Sequence, residues 1–137
     1  MGVTVNLKQI SQYTTESDVR GHTTLIDRPE SKGGTDRGAM GGEHLLVALG
    51  GCFMSNLLEI VRNRESDITD IHVSVDGTLD GTPKHFTAIE MHVTGTGDAD
   101  ELEKFVTMAE RGCIVANTLK DAVNLSFKTT ALAPDAG

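Results

Sequence analysis

From Glu43 to about Arg64, apolar side chains recur at spacings of three and four: Leu45, Leu46, Leu49, Cys52, Phe53, Leu57, Ile60 and Val61. That spacing draws one stripe along a long helix, and the rest of the fold has to be compatible with it. Gly50 and Gly51 interrupt the helix just before Cys52. Each glycine costs on the order of 1 kcal/mol relative to alanine in a helix interior, so close approach of another backbone is expected there. The near-apolar run from Leu45 to Leu58 is broken by Ser55 and Asn56, and it falls short of the roughly 20 residues that span a bilayer.

Shorter patterns flank this helix. Val3 to Leu7 alternates apolar and polar residues, as a half-buried strand does, and Thr23 to Ile26 reads as its hairpin partner or successor. Between Arg28 and Gly42 the chain is punctuated by Pro29, Gly33, Gly34, Gly38, Gly41 and Gly42. An irregular loop of about fifteen residues is uncommon in a compact domain unless it has a function. After the helix, Ile71 to Asp76 and Phe86 to Thr94 alternate as two strands, joined by a turn-rich Gly77–Pro83. Asp98 and Glu101 have the spacing of a capping box that opens a second helix, whose apolar face carries Leu102, Phe105, Val106 and Ala109. A further helical stretch holds Val115, Leu119 and Val123. The chain closes with a strand through Leu125, Phe127 and Thr129, then a flexible tail over 131–137. The order ββ–α–ββ–α–α–β is α+β, read as one domain over 1–137 in which 1–42 supplies the N-terminal strands and the glycine-rich loop.

Composition narrows the partners. Twelve basic against twenty acidic side chains leave a formal charge of −8. Nucleic acid and anionic membranes both need an electropositive footprint, so neither is expected as a partner. The start MGVTVNLKQI lacks the basic and apolar run of a secretory signal, and Gly2 with Asn6 does not fit a myristoylation site. A cytoplasmic protein is expected.

The two cysteines, Cys52 and Cys113, are the principal chemical signal. They are too few for a secreted disulfide scaffold. No histidine stands at finger spacing from either, so neither a metal nor a cofactor is expected. Two inert core thiols or one cycling dithiol pair remain open. Cys113 begins a helical stretch, where unpaired N–H groups favour a thiolate; Cys52, in mid-helix, needs a nearby arginine or another hydrogen-bond donor. Arg28 and Arg37 in the glycine-rich loop are candidates, with Glu43 available to orient a guanidinium.

Glu43 to Met54 (EHLLVALGGCFM) resembles the E-L-L-L-A-A-L-G-G-C helix of the OsmC/Ohr family, named for osmotically inducible protein C and organic hydroperoxide resistance protein. Three further stretches are similar to family segments in the same order: Asp27 to Gly38 (DRPESKGGTDRG), Pro83 to Glu90 (PKHFTAIE) and Cys113 to Leu119 (CIVANTL). The resemblance implies an OsmC-like fold, with curved antiparallel sheets wrapped around long central helices in an intertwined homodimer. It also implies a thiol peroxidase for organic hydroperoxides. In that scheme Cys52 attacks, Cys113 condenses with the sulfenic acid, and an external dithiol restores both.

Three positions depart from the peroxidase branches. Their acidic residue falls at Gly42, one step before Glu43, and about 100° around the helix from it; Gly41 and Ile114 stand where the family carries proline. Arg28 matches the family arginine best, with Arg20 and Arg37 as alternatives. This pattern fits an OsmC-like branch, and the alternative function is a non-catalytic dimer acting as a redox sensor or small-ligand binding protein. His72 and His92 fall at polar strand positions and read as solvated or interfacial residues. Met40 and Met54 read equally as pocket lining and as core filling. The glycine pairs carry no phosphate-binding motif.

Overall fold

The computed structural model describes residues 1–134. The chain forms two compact units, Met1–Leu45 and the segment from Leu46 onward.

In the first unit, β1 (Asn6–Gln9), β2 (Thr15–Val19) and β3 (His22–Ile26) make an antiparallel meander in that order. The first strand lies later than the Val3–Leu7 alternation predicts. β2, whose sequence TESDV carries no apolar alternation, is an addition to the elements expected from patterning. Tight turn chemistry specifies it instead: Arg20 and Gly21 both take positive φ (55° and 87°), as a two-residue hairpin turn requires. Asp18 Oδ1 accepts from the Gly21 N–H at 2.9 Å. Beyond β3, a short 3-10 turn at Glu30–Lys32 and a bridge between Ile26 and Ala39 fold the glycine-rich loop back on itself. The loop packs backbone against backbone. A Cβ added at Gly34 would sit 2.1 Å from the Arg28 carbonyl oxygen, and one at Gly38 would sit 2.1 Å from that of Leu25.

The long helix α1 spans Gly41–Asn63, beginning two residues before the predicted start. Its 23 residues and a mean hydropathy of 1.6 over its most apolar window exceed the expectation from Leu45–Leu58, being long and apolar enough to cross a membrane. Leu49, Phe53 and Leu57 are nevertheless fully buried within the second unit, so α1 supplies a core stripe to that unit.

The second unit continues with β4 (Thr69–Asp80), β5 (His85–Thr96), α2 (Ala99–Gly112), α3 (Ile114–Leu119) and β6 (Asn124–Leu132). β5 is central, antiparallel to β4 and parallel to β6. The sheet is therefore mixed where antiparallel pairing was expected, because β6 is reached through α2 and α3, a crossover long enough to bring the chain back in the same direction. The inner face of β5 buries Ile89, Met91 and Val93 against Leu49, Phe53 and Leu57 of α1 and Leu102, Phe105, Val106 and Ala109 of α2. The Phe53 and Phe127 rings lie 5.1 Å apart and tilted by 45°.

Several local expectations are corrected. Gly77 to Asp80 belong to β4 rather than to a turn: the Phe86 ring covers Gly77, where a Cβ would lie 2.6 Å from it. Asp98 caps α2 by accepting from the Glu101 N–H at 2.8 Å, but the Glu101 carboxylate accepts from Ser66 Oγ instead of closing the box. The close approach at Gly50 is to the Val75 side chain, 3.0 Å from an added Cβ, and nothing lies within 4 Å of one at Gly51. Val123 falls outside α3. Ala131 and Leu132, expected in the tail, pair with Gly95 and Thr96 in β6; residues 135–137 of that tail lie outside the described residues.

Candidate active site

Within the second unit the two cysteines meet. Cys52 is half-buried on α1, one residue before the core Phe53. Cys113 is fully buried at the junction of α2 and α3. Its backbone is extended (φ −80°, ψ 110°), its N–H closes α2 on the Glu110 carbonyl at 3.1 Å, and its Sγ accepts from the Ala116 N–H at 3.4 Å. A thiol thus does the work that serine or aspartate usually does at a helix start.

The Ile114 and Val115 N–H groups at the start of α3 also act on the neighbouring Cys52 thiol and favour its charged form. Burial opposes charge on Cys52. The Val115 N–H, the Cys113 thiol and the Ile114 N–H outweigh it, so its acidity is raised and its pKa lowered. Cys113 moves the other way. Burial is the largest cause; the Ala116 N–H opposes it, the neighbouring Cys52 thiol adds to the rise, and the Val115 N–H gives a smaller opposing pull. The sequence argument from helix position gives the thiolate to Cys113. The structure reverses this: the Val115 and Ile114 N–H groups lower the pKa of Cys52, while burial raises that of Cys113.

Asn56, one turn after Cys52, donates from Nδ2 to the Ala109 carbonyl at 3.4 Å. This bond ties the cysteine-bearing stretch of α1 to the end of α2. In the sequence pattern Asn56 stands only as an interruption of apolar character; backbone carbonyls and N–H groups leave no residue signature by which to find it or the α3 donors.

The other candidates lie in the first unit. Glu43 Oε1 accepts from the Met40 N–H at 2.9 Å, while the Met40 carbonyl accepts from the His44 N–H. It thereby caps α1, and within this unit it forms no ion pair with Arg28. Arg28 is exposed and lines a cleft of about 460 Å³ with Tyr13, Lys32, Met40, Gly41 and Gly42. Arg20 occupies the β2–β3 turn, and the backbone N–H of Arg37 donates to Asp27.

Among the described residues one cluster has metal-ligand character: Asp76, Glu90 and His92, on neighbouring positions of β4 and β5. His92 Nε2 lies 2.5 Å from Glu90 Oε1 and 3.5 Å from Asp76 Oδ2. Lys128 Nζ stands 3.4 Å from Glu90 Oε2, so a cation of the chain already faces this carboxylate. Burial opposes the charge on Glu90, but Lys128 and then His92 lower its pKa.

The sequence model of the OsmC-like proteins matches residues 34–128. The chain belongs to the OsmC-like protein family. The match takes in the cysteine helix, the Pro83–Glu90 strand and the Cys113 segment. Protein YhfA of Escherichia coli (strain K12) is 29% identical over 118 residues, covering 82% of this chain and 85% of its own. A hypothetical protein from Aquifex aeolicus VF5 superposes with a TM-score of 0.84 at 21% identity, over 98% of this chain and 99% of that one. A protein of Legionella pneumophila, described as an organic hydroperoxide resistance protein OsmC and predicted redox protein, gives a TM-score of 0.73 at 17% identity, over 95% and 97% of the two chains. These likenesses establish the OsmC-like α+β fold.

Proposed function

We propose that this OsmC-like protein is a cysteine-based peroxidase that reduces organic hydroperoxides, with Cys52 as the attacking thiol and Cys113 as the resolving one. The observation that carries the reading is the pairing of a half-buried thiol on α1 with a buried thiol at the start of α3, their acidities shifted in opposite directions. The thiolate is the nucleophile, and a protonated partner beside it is poised for the second step.

In the first step the Cys52 thiolate attacks the distal oxygen of ROOH. An S–O bond forms, the O–O bond breaks, and the alkoxide leaves and takes up a proton as ROH. Cys52 is then a sulfenic acid, oxidised by two electrons. In the second step the Cys113 sulfur attacks the Cys52 sulfur. The S–S bond forms, and the hydroxide leaves with the Cys113 proton as water. An external dithiol, of the lipoyl type in the hydroperoxide branch, reduces the disulfide by exchange and is itself oxidised.

The family pattern assigns the arginine role to Arg28, and its place in a cleft with the first residues of α1 favours it over Arg20 and Arg37. Glu43, one position beyond the family's acidic residue, takes the orienting role in this reading, although one of its carboxylate oxygens is engaged in capping. We read the protein as a cytoplasmic homodimer. In support, Val47 and Leu58 of α1 are 64% and 51% exposed, and exposed apolar faces of this kind mark association surfaces.

Stopped-flow consumption of cumene hydroperoxide with dihydrolipoamide as donor tests the proposal. Rapid turnover that disappears in Cys52→Ser is expected. Equal, negligible rates for both proteins overturn it.

A further inference from the structure

Asp27 is 3% exposed, and its carboxylate accepts every hydrogen bond the surrounding loop directs at it. Oδ1 takes the Arg28 N–H at 2.6 Å and the Thr35 N–H at 3.3 Å. Oδ2 takes the Thr35 hydroxyl at 2.5 Å, the Thr14 hydroxyl at 3.0 Å and the Arg37 N–H at 3.1 Å. All five donors are neutral. Such a set holds the group ionised well below the usual carboxylate range: the Thr35 hydroxyl is the largest cause, burial opposes it, and the Arg28 and Arg37 N–H groups and the Thr14 hydroxyl add to the lowering.

The bonds have a consequence for one side chain. Arg28 is held on both sides of its Cα. Its N–H is bound by Asp27, its carbonyl accepts from the Asp36 N–H at 2.9 Å, and Pro29 restricts its backbone to extended conformations. Gly34 lies against the same carbonyl, where no side chain fits. The Arg28 backbone is thus held by a hydrogen bond on each side of its Cα and by the following proline, which fixes the point from which its side chain leaves the loop.

We propose that Asp27 is a positioning residue for Arg28: by gathering the backbone of 28–37 around one buried carboxylate, it fixes where the Arg28 guanidinium is presented in the cleft it lines with Tyr13, Met40 and Gly42. The inference rests on the peroxidase reading above. Asp27 touches no substrate and acts through Arg28. A group displaced by about 1 Å can lose on the order of 100-fold in rate, so small losses of loop order are readable in turnover.

The test compares kcat/KM for cumene hydroperoxide in wild type, Asp27→Asn, Arg28→Met and the double variant, with circular dichroism as a check on folding. Asp27→Asn keeps the shape but turns an amide N–H toward donors. Roughly a tenfold loss or more is expected, with the double variant no slower than Arg28→Met alone. Should Asp27→Asn fail to fold, Thr35→Val and Thr35→Ser replace it: valine is expected to lose activity severalfold and serine, which keeps the hydroxyl, to retain it. Unchanged activity in Asp27→Asn, losses that add in the double variant, or equal activity of Thr35→Val and Thr35→Ser overturn the role of Asp27 alone. No turnover in wild type overturns the peroxidase reading, and this role with it.

Discussion

Cys52 and Cys113 stand close enough for each thiol to shift the acidity of the other, and their acidities are driven apart. The cause is the start of α3. Its Ile114 and Val115 N–H groups favour charge on the sulfur of α1, while the cysteine at its own cap is buried and accepts from the Ala116 N–H. Two residues far apart in the chain thus share one helix terminus, with the charge on the partner that is not part of that helix.

This arrangement predicts the pH dependence of alkylation. Because the thiolate is the reactive form, iodoacetamide should modify Cys52 with a midpoint below the ordinary thiol value of about 8.5. Cys113 should react only at higher pH. Cys113→Ala removes one donor to Cys52 and should move the Cys52 midpoint upward; a midpoint that stays put would show that the thiols do not communicate.

Asn56 holds α1 to the end of α2 through the Ala109 carbonyl. Asn56→Ala should destabilise the protein by about 1 kcal/mol, the usual net worth of such a bond. Formation of the Cys52–Cys113 disulfide after a peroxide pulse should slow, as followed by loss of free thiols. Disulfide formation at the wild-type rate would remove Asn56 from any role at the site.

The Asp27 carboxyl is held below its unfolded value. Its contribution to stability is therefore complete above the unfolded pKa of about 3.9 and is lost as pH falls through the lower folded value. Thermal unfolding followed from neutral pH down to about pH 2 should show wild type losing stability as this carboxyl protonates. Asp27→Asn should be less stable at neutral pH and flatter in the acid range. Parallel curves for the two proteins would contradict this.

Phe53 is fully buried beside Cys52, with its ring against Phe127. Phe53→Ala should cost about 3–5 kcal/mol in urea unfolding. A loss under 1 kcal/mol would mean that this part of the core collapses to fill the space.

Periodicity and caps make much of the fold legible in the residues themselves. The stripe from Leu45 to Val61 predicts α1, the alternation through Ile71–Val75 and Ile89–Val93 predicts β4 and β5, and Asp98 with Glu101 marks the start of α2. The four ordered segments also point to the family that the match over 34–128 establishes. β2 has no such pattern, since its pairing comes from the hairpin turn and from its neighbours. Gly77 looks like a turn residue until the Phe86 ring is placed over it.

By itself, then, the sequence determined most of the helices and strands, and that Cys52 stands within a helix and Cys113 at the start of one, because those properties depend on neighbours within a few residues. The tertiary structure decided which cysteine is acidic and that Asp27 is the centre of the arginine loop. Both depend on where N–H and hydroxyl donors from distant positions point, and a one-dimensional pattern carries no information about that direction.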